Sequence, residues 1–309
     1  MTTLLLSHPS GLIHKTPAGH PERPDRLRAI EKALAEPEFK SLKRGEAPEA
    51  ELETITLVHP KAYVEKLHEA VPKQGLVHID ADTAMSSESW EPILRAAGGA
   101  VAAADAVIGG QAANAFVAMR PPGHHAETVK PMGFCFINNA AIAARHAQKK
   151  HGLSRVAVID FDVHHGNGTQ ELFWSDASVM YCSTHEWPLY PGTGARTERG
   201  AHDNIVNAPL SAGNGGPEFR AAFESTILPR LEAFAPELVI VSAGFDAHTR
   251  DPLANLNLTE PVYAWVTQKL MDIANRHAKG RLVSVLEGGY DLEGLSQSVA
   301  AHVRTLMQT

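Results

Sequence analysis

Five short apolar runs punctuate the chain, at Ala115–Met119, Val156–Ile159, Val179–Ser183, Leu238–Ser242 and Leu282–Leu286. They are nearly continuous in apolar character instead of alternating with polar positions. A strand written this way is covered on both faces, as in a parallel sheet packed between helices. Between the runs, helical patterns extend over Pro92–Ile108, which is rich in alanine, Asn139–Lys150, Glu218–Phe234, Pro261–His277 and Leu295–Met307. Strand and helix alternate, so the expected fold is α/β, with a mostly parallel central sheet and helices on both faces. No repeat, low-complexity tract or charged linker breaks the pattern, and residues 1–309 are expected to form a single domain. The Pro- and Gly-rich pieces Pro17–Pro24, Pro188–Gly194 and Ala212–Pro217 read as surface loops.

The residues just past each run turn a fold expectation into a chemical one. Arg120-Pro121-Pro122-Gly123-His124-His125 comes after the first run, and Asp160 to His165 after the second. Thr184-His185, Ala243-Gly244-Phe245-Asp246 and Glu287-Gly288-Gly289-Tyr290 come after the others. Open parallel sheets bind ligands beyond the carboxyl ends of their strands. The second run is the most informative. Alternate residues of an extended chain point the same way, so Asp160, Asp162 and His164 are expected on one face and His165 on the other. A carboxylate and an imidazole two residues apart make half of a zinc site, and Asp246 is the natural third ligand. Three protein ligands leave a position for water or substrate. Asp160 is expected behind the ligands, where it would not crowd the ion. His124 and His125 suit proton transfer near neutrality, and Tyr290 suits hydrogen bonding to a developing oxyanion. The set describes metal-assisted hydrolysis of an amide or related acyl bond.

Composition narrows the setting. The net charge is −7, no Lys/Arg run exceeds two, and the sequence pI is near 6.2, which argues against a nucleic-acid partner. No apolar tract is long enough to span a bilayer, and Met1–Leu6 lacks the features of a signal peptide. Cys135 and Cys182 are the only cysteines, too few for a disulfide framework, and a cytoplasmic location is expected. Of 17 histidines, His59, His68, His151, His277 and His302 read as surface or loop positions, and His185 and His248 receive no role.

Several segments together resemble the histone deacetylase superfamily, in particular its class II branch and the bacterial histone deacetylase-like amidohydrolases. They are Arg120 to Glu127, Gly133-Phe134-Cys135-Phe136-Ile137-Asn138-Asn139, Asp160 to Gln170, Pro191-Gly192-Thr193-Gly194, Ser242 to Ala247, Asp251-Pro252-Leu253 and Glu287 to Leu292. They run in the family's order, and the resemblance spans roughly Gly19 to the C-terminus. It implies an arginase-like fold with Zn²⁺ held by Asp162, His164 and Asp246. It also implies that a water attacks the acyl carbonyl, with His125 as general base and then general acid. Asp160 would orient His124, Asn167 would partner His125, and Tyr290 would complete the oxyanion site. A structural K⁺ is implied at Asp160, Ser183 and Thr184 with the backbone of Asp162 and His164, and a second K⁺ at Phe173, Asp176, Val179 and Asn204. Phe134 and Tyr190, with Gly133, Leu253 and Gly288, would contact substrate. Leu253 stands where a polyamine-deacetylating relative has a glutamate, which favours acyl-lysine in a peptide or protein over acetylpolyamine or another small acylamide. Asp80 or Asp82 is the expected rim contact to substrate backbone. A non-catalytic acyl-lysine binding module is the remaining alternative, and the retained Tyr290 speaks against it.

Overall fold

The computed structural model describes residues 2–308; Met1 and Thr309, the ends of the expected domain, lie outside the described residues. The chain opens with β1 (Thr3–Ser7), α1 (Asp25–Leu34), β2 (Lys43–Glu46), α2 (Leu52–Ile55) and α3 (Lys61–Glu69). A small antiparallel hairpin, β3 (Leu76–His78) and β4 (Ala84–Ser86), precedes α4 (Trp90–Ile108) and β5 (Asn114–Val117). Then come α5 (Asn139–His151), β6 (Val156–Asp160), α6 (Asn167–Phe173), β7 (Val179–Glu186) and β8 (Ile205–Leu210). The remainder is α7 (Gly216–Ala222), α8 (Leu228–Phe234), β9 (Leu238–Ala243), α9 (Glu260–His277), β10 (Leu282–Leu286) and α10 (Leu292–Leu306).

Eight strands form one sheet in the order β2-β1-β5-β10-β9-β6-β7-β8, with every adjacent pair parallel. The α/β expectation holds, and all five expected strands are present. Side chains alternate between two cores. Phe116, Ala157 and Ile159 pack on one face with residues of α1, α9 and α10, while Ala115, Val117, Val156 and Val158 pack on the other with alanines of α4 and α5. Those alanines let α4 lie close to the rest of the fold. At Gly98 even a Cβ would strike the backbone of Pro48 and Ala50.

Three strands of the eight-stranded sheet were not expected, and neither was the β3–β4 hairpin. β1 is a plain apolar run, Thr-Leu-Leu-Leu-Ser, considered only as a targeting segment; β2 and β8 are the sheet edges. Edge strands need be apolar on neither face, and β2 reads Lys-Arg-Gly-Glu. β8 carries Pro209, which an edge tolerates because half its backbone donors are unused. The expected helix Glu218–Phe234 is broken into α7 and α8 by a π-helical turn at Phe223–Ile227. Pro229, just beyond that turn, has no N–H for the Ser225 carbonyl, so the ladder is rerouted. His59 and His302 are fully buried rather than superficial. His59 bonds the Thr128 carbonyl and the Asn138 N–H, and His302 bridges Thr267 and Ser284. Among the described residues no helix is long and apolar enough to cross a membrane.

Candidate active site

The carboxyl end of β6 bends as it leaves the sheet, and the acids themselves hold the bend. Asp160 Oδ1 accepts the Asp162 N–H at 3.1 Å, and Asp162 Oδ1 accepts the His164 N–H at 2.9 Å. Asp160, Asp162 and His164 thus stay on the site side beyond the strand's end. His165 turns away to Thr193 and Gln170. Asp246, delivered by the turn after β9, accepts the Val163 N–H at 2.9 Å and places Oδ2 3.1 Å from His164 Nδ1. One ligand atom from each of Asp162, His164 and Asp246 lies within 4.8 Å of the others, and all three residues are buried. Glycines make the approach possible. A Cβ at Gly244 would collide with the Asp162 carboxylate, and one at Gly288 with those of Asp162 and Asp246. Gly288 does not line the cavity beside this triad. It stands behind the ligands, with its N–H 2.8 Å from Asp162 Oδ2.

The tandem histidines come from the turn after β5. His124 Nδ1 is 2.9 Å from Asp160 Oδ2, which also accepts from Tyr181 OH at 3.0 Å. His125 Nδ1 is 2.8 Å from Asn167 Oδ1. Asn167 Nδ2 donates to Glu127 Oε1 at 2.7 Å, which fixes the amide with its oxygen toward the imidazole. The two rings lie 4.0 Å apart between centroids. A cavity of about 230 Å³ opens above them, lined by His125, His164, Tyr290, Gly133, Phe134 and Tyr190, with Asp82 and Leu253. Phe134 and Tyr190, far apart in sequence, therefore meet at one slot. Asp80 does not line it, and accepts the backbone N–H groups of Asp82 and Thr83 instead. Asp82 does, while its Oδ1 holds the Gly133 N–H at 3.1 Å.

Four buried charged residues behind these groups have no role in the sequence reading. Glu287 Oε2 accepts the N–H groups of Gly123 and His124 at 2.7 and 3.2 Å, and Oε1 accepts from Ser242, so one carboxylate ties the ends of three strands. Arg26 donates to the carbonyls of Gly289 and Glu287 at 2.6 and 2.5 Å and lies 4.9 Å from the Tyr290 ring centroid. Glu22, fully buried inside a segment that reads as surface loop, pairs with Arg26 and with Arg120. Asp251 Oδ2 accepts the Tyr290 N–H at 2.7 Å. Glu287 and Asp251 open motifs quoted above, which is the sequence signal for them, whereas Arg26 and Glu22 lie in none.

Burial disfavours charge throughout the site, and specific neighbours decide where charge survives. Asp160 and Asp162 outweigh burial at His124 and hold it well above its ordinary pKa. Burial, with His124 and His164 alongside, pushes His125 well below its own. Hydrogen bonds to Asp162 and Asp246 overcome burial at His164 and lift it to about 10. Burial and the neighbouring Asp162 carboxylate raise Asp246 to about 7. Two buried carboxylates that repel one another around an imidazole form a donor set that fits a divalent cation.

The expected potassium positions are likewise brought together. Asp160 is paired with Ser183 in the sheet, and the buried Thr184 hydroxyl has no hydrogen-bond partner. The carbonyls of Phe173, Asp176 and Val179 converge on Asn204 Nδ2 at 2.8–3.1 Å, more acceptors than its two protons serve. Oxygen-rich clusters of this kind suit a hard cation.

Residues 20–306 match the histone deacetylase domain family. The chain is 42% identical to the chloroplastic histone deacetylase 14 of Arabidopsis thaliana, over 93% of this chain and 73% of that one. It is 40% identical to a histone deacetylase-like amidohydrolase of Pseudomonas aeruginosa, over 88% and 73% of the two chains. The crystal structure of the HDA15 HD domain matches with a TM-score of 0.93 at 37% identity, covering 99% of this chain and 88% of that one. The chain belongs to the histone deacetylase family.

Proposed function

We propose that this protein is a zinc-dependent deacylase that hydrolyses the side-chain amide of Nε-acyl-lysine in peptides or proteins. The observation that carries the reading is the convergence of Asp162, His164 and Asp246 with His125 and Tyr290 at an aromatic slot of about 230 Å³. A methylene stem fits between Phe134 and Tyr190, which puts the acyl carbonyl over the triad. A bound zinc would polarise that carbonyl and acidify a water beside it.

The chain's own residues supply the proton chemistry. Asn167 Oδ1 accepts from Nδ1–H of His125, so the Nε2 lone pair is bare and this low-pKa ring takes a proton from the attacking water. The same ring then returns it to the leaving amine. His124, kept cationic against Asp160, supplies fixed positive charge beside the developing oxyanion. Tyr290 donates its hydroxyl proton as a hydrogen bond, with Asp251 and Arg26 holding its turn. Glu287 fixes the backbone of the His124 turn. K⁺ at the two oxygen clusters would stiffen the ends of β6 and β7.

Leu253 at the slot offers no charge to a distal ammonium, which supports acyl-lysine over acetylpolyamine. Residues 1–309 act as one catalytic domain in a reducing cytoplasm, where the buried Cys135 and Cys182 stay as free thiols. The test is a panel of acyl-lysine peptides, acetylputrescine and small acylamides, with metal analysis on the same preparation. Turnover of the peptides by zinc-loaded protein is expected. No turnover on any member would end the proposal.

A further inference from the structure

A second group of metal-ligand side chains lies at the far end of α5. That helix begins beside the cleft, where Asn139 donates to the Pro121 carbonyl, and its 13 residues carry His151 roughly 20 Å away. There Asp105, in the last turn of α4, meets His146 and His151 of α5. The two imidazole Nε2 atoms converge on one carboxylate oxygen, Asp105 Oδ1, at 2.8 and 2.6 Å, and the three ligand atoms all lie within 4.8 Å of one another.

Lys150 Nζ occupies the other oxygen, Oδ2, at 2.8 Å. A cation on Oδ2 leaves Asp105 to present Oδ1 alone, as a hydrogen-bonded monodentate ligand does. The side chains of His146, His151 and Asp105 are 11%, 22% and 31% exposed. That is enough access for an ion to enter and retain water, and enough burial to hold the ligands in place. Two imidazole nitrogens and a carboxylate oxygen match the borderline donors that zinc prefers. None of these residues contributes to the cleft.

The geometry points to a zinc-class divalent cation held by Asp105, His146 and His151, clamping α4 to α5 at the edge of the molecule opposite the cleft. Such an ion replaces the two imidazole protons now shared with Oδ1 and ties two helix ends that are otherwise joined by side chains in partial contact with solvent.

The test uses the full chain with its cleft loaded, dialysed against rising Zn²⁺ near neutral pH, with metal content and melting temperature as readouts. A second ion per chain is expected, accompanied by a rise in melting temperature. His151→Gln and Asp105→Asn should each weaken the second ion by about tenfold or more and leave turnover of the singly loaded enzyme unchanged. An Asp162→Asn variant, impaired in the cleft, should still take up the distal ion, so the two sites can fail independently. Metal content that levels at one ion per chain would overturn the assignment. So would a second ion bound equally well after both substitutions are combined.

Discussion

His164 and His302 are both buried imidazoles, one at the acid-lined edge of the sheet and the other in the layer formed by α9, β10 and α10. Their neighbours push their proton affinities in opposite directions. His302 sits between the hydroxyls of Thr267 and Ser284, 2.6 and 2.8 Å away, among the rings of Phe116, Phe161 and Phe245. Burial alone takes its pKa down to about 3. His164 is nearly as deep, yet two carboxylates lift it to about 10, a preference for positive charge that a divalent ion held by the same three side chains would satisfy in place of the proton. Company, more than depth, sets how strongly each site attracts positive charge. An apolar layer can use histidine as a neutral strut between hydroxyls, whereas the sheet edge keeps carboxylates buried only because positive charge is supplied to them.

The contrast can be broken most severely at the ligands. His164→Ala or Asp246→Asn should empty the cleft of zinc and lower kcat/KM by about a thousandfold or more, read by metal analysis and assay. His302→Gln should leave both readouts within about twofold while lowering the melting temperature. Equal metal content in all three variants would remove the distinction. Tyr290→Phe should lower kcat by about 10²–10³-fold with little change in KM, because its hydrogen bond forms only as charge develops on the acyl oxygen.

Asn167→Ala frees the tautomer of His125, and a loss in kcat of about 10–100-fold is expected. Glu287→Ala should act in the same direction through the His124 turn, with Glu287→Gln recovering most of the rate because an amide oxygen still accepts from Gly123 and His124.

Acid sharpens the comparison from the other side. His14, His59 and His185 are lowered to about 4 and His302 to about 3, each chiefly by burial. An unfolded histidine titrates near 6.5. Below that pH the unfolded chain binds protons that these folded rings refuse, so stability falls as pH drops from about 6.5 toward 4. Calorimetry across that window should show a falling melting temperature, and His302→Gln should flatten the slope. The smallest effect expected is on selectivity. Leu253→Glu should shift the ratio of acetylputrescine to acetyl-lysine peptide turnover toward the polyamine, by about tenfold or less.

The triad was legible because its residues come directly after buried strands, where the chain has no structural need for Asp or His. The central strands were legible because both their faces are apolar. β2 and β8 were not, since an edge strand has weaker requirements and Lys43–Glu46 or Pro209 contradict the usual pattern. What Glu287, Arg26 and Asp251 do was not legible either. They act on backbone N–H and carbonyl groups contributed by remote segments, and such contacts leave no periodicity. His302 was misread because a single polar residue on a helix looks exposed until its two hydroxyl partners, remote in the chain, are in view.

Gly244 and Gly288 carry no functional group, yet each is pressed against carboxylates of the triad. Alanine at either would be recorded in a mutational survey as an inactive enzyme with an intact set of reactive side chains. The two positions act as spacers that fix how near two acids may come, so swapping a hydrogen for a methyl there would retune ion affinity without touching a ligand.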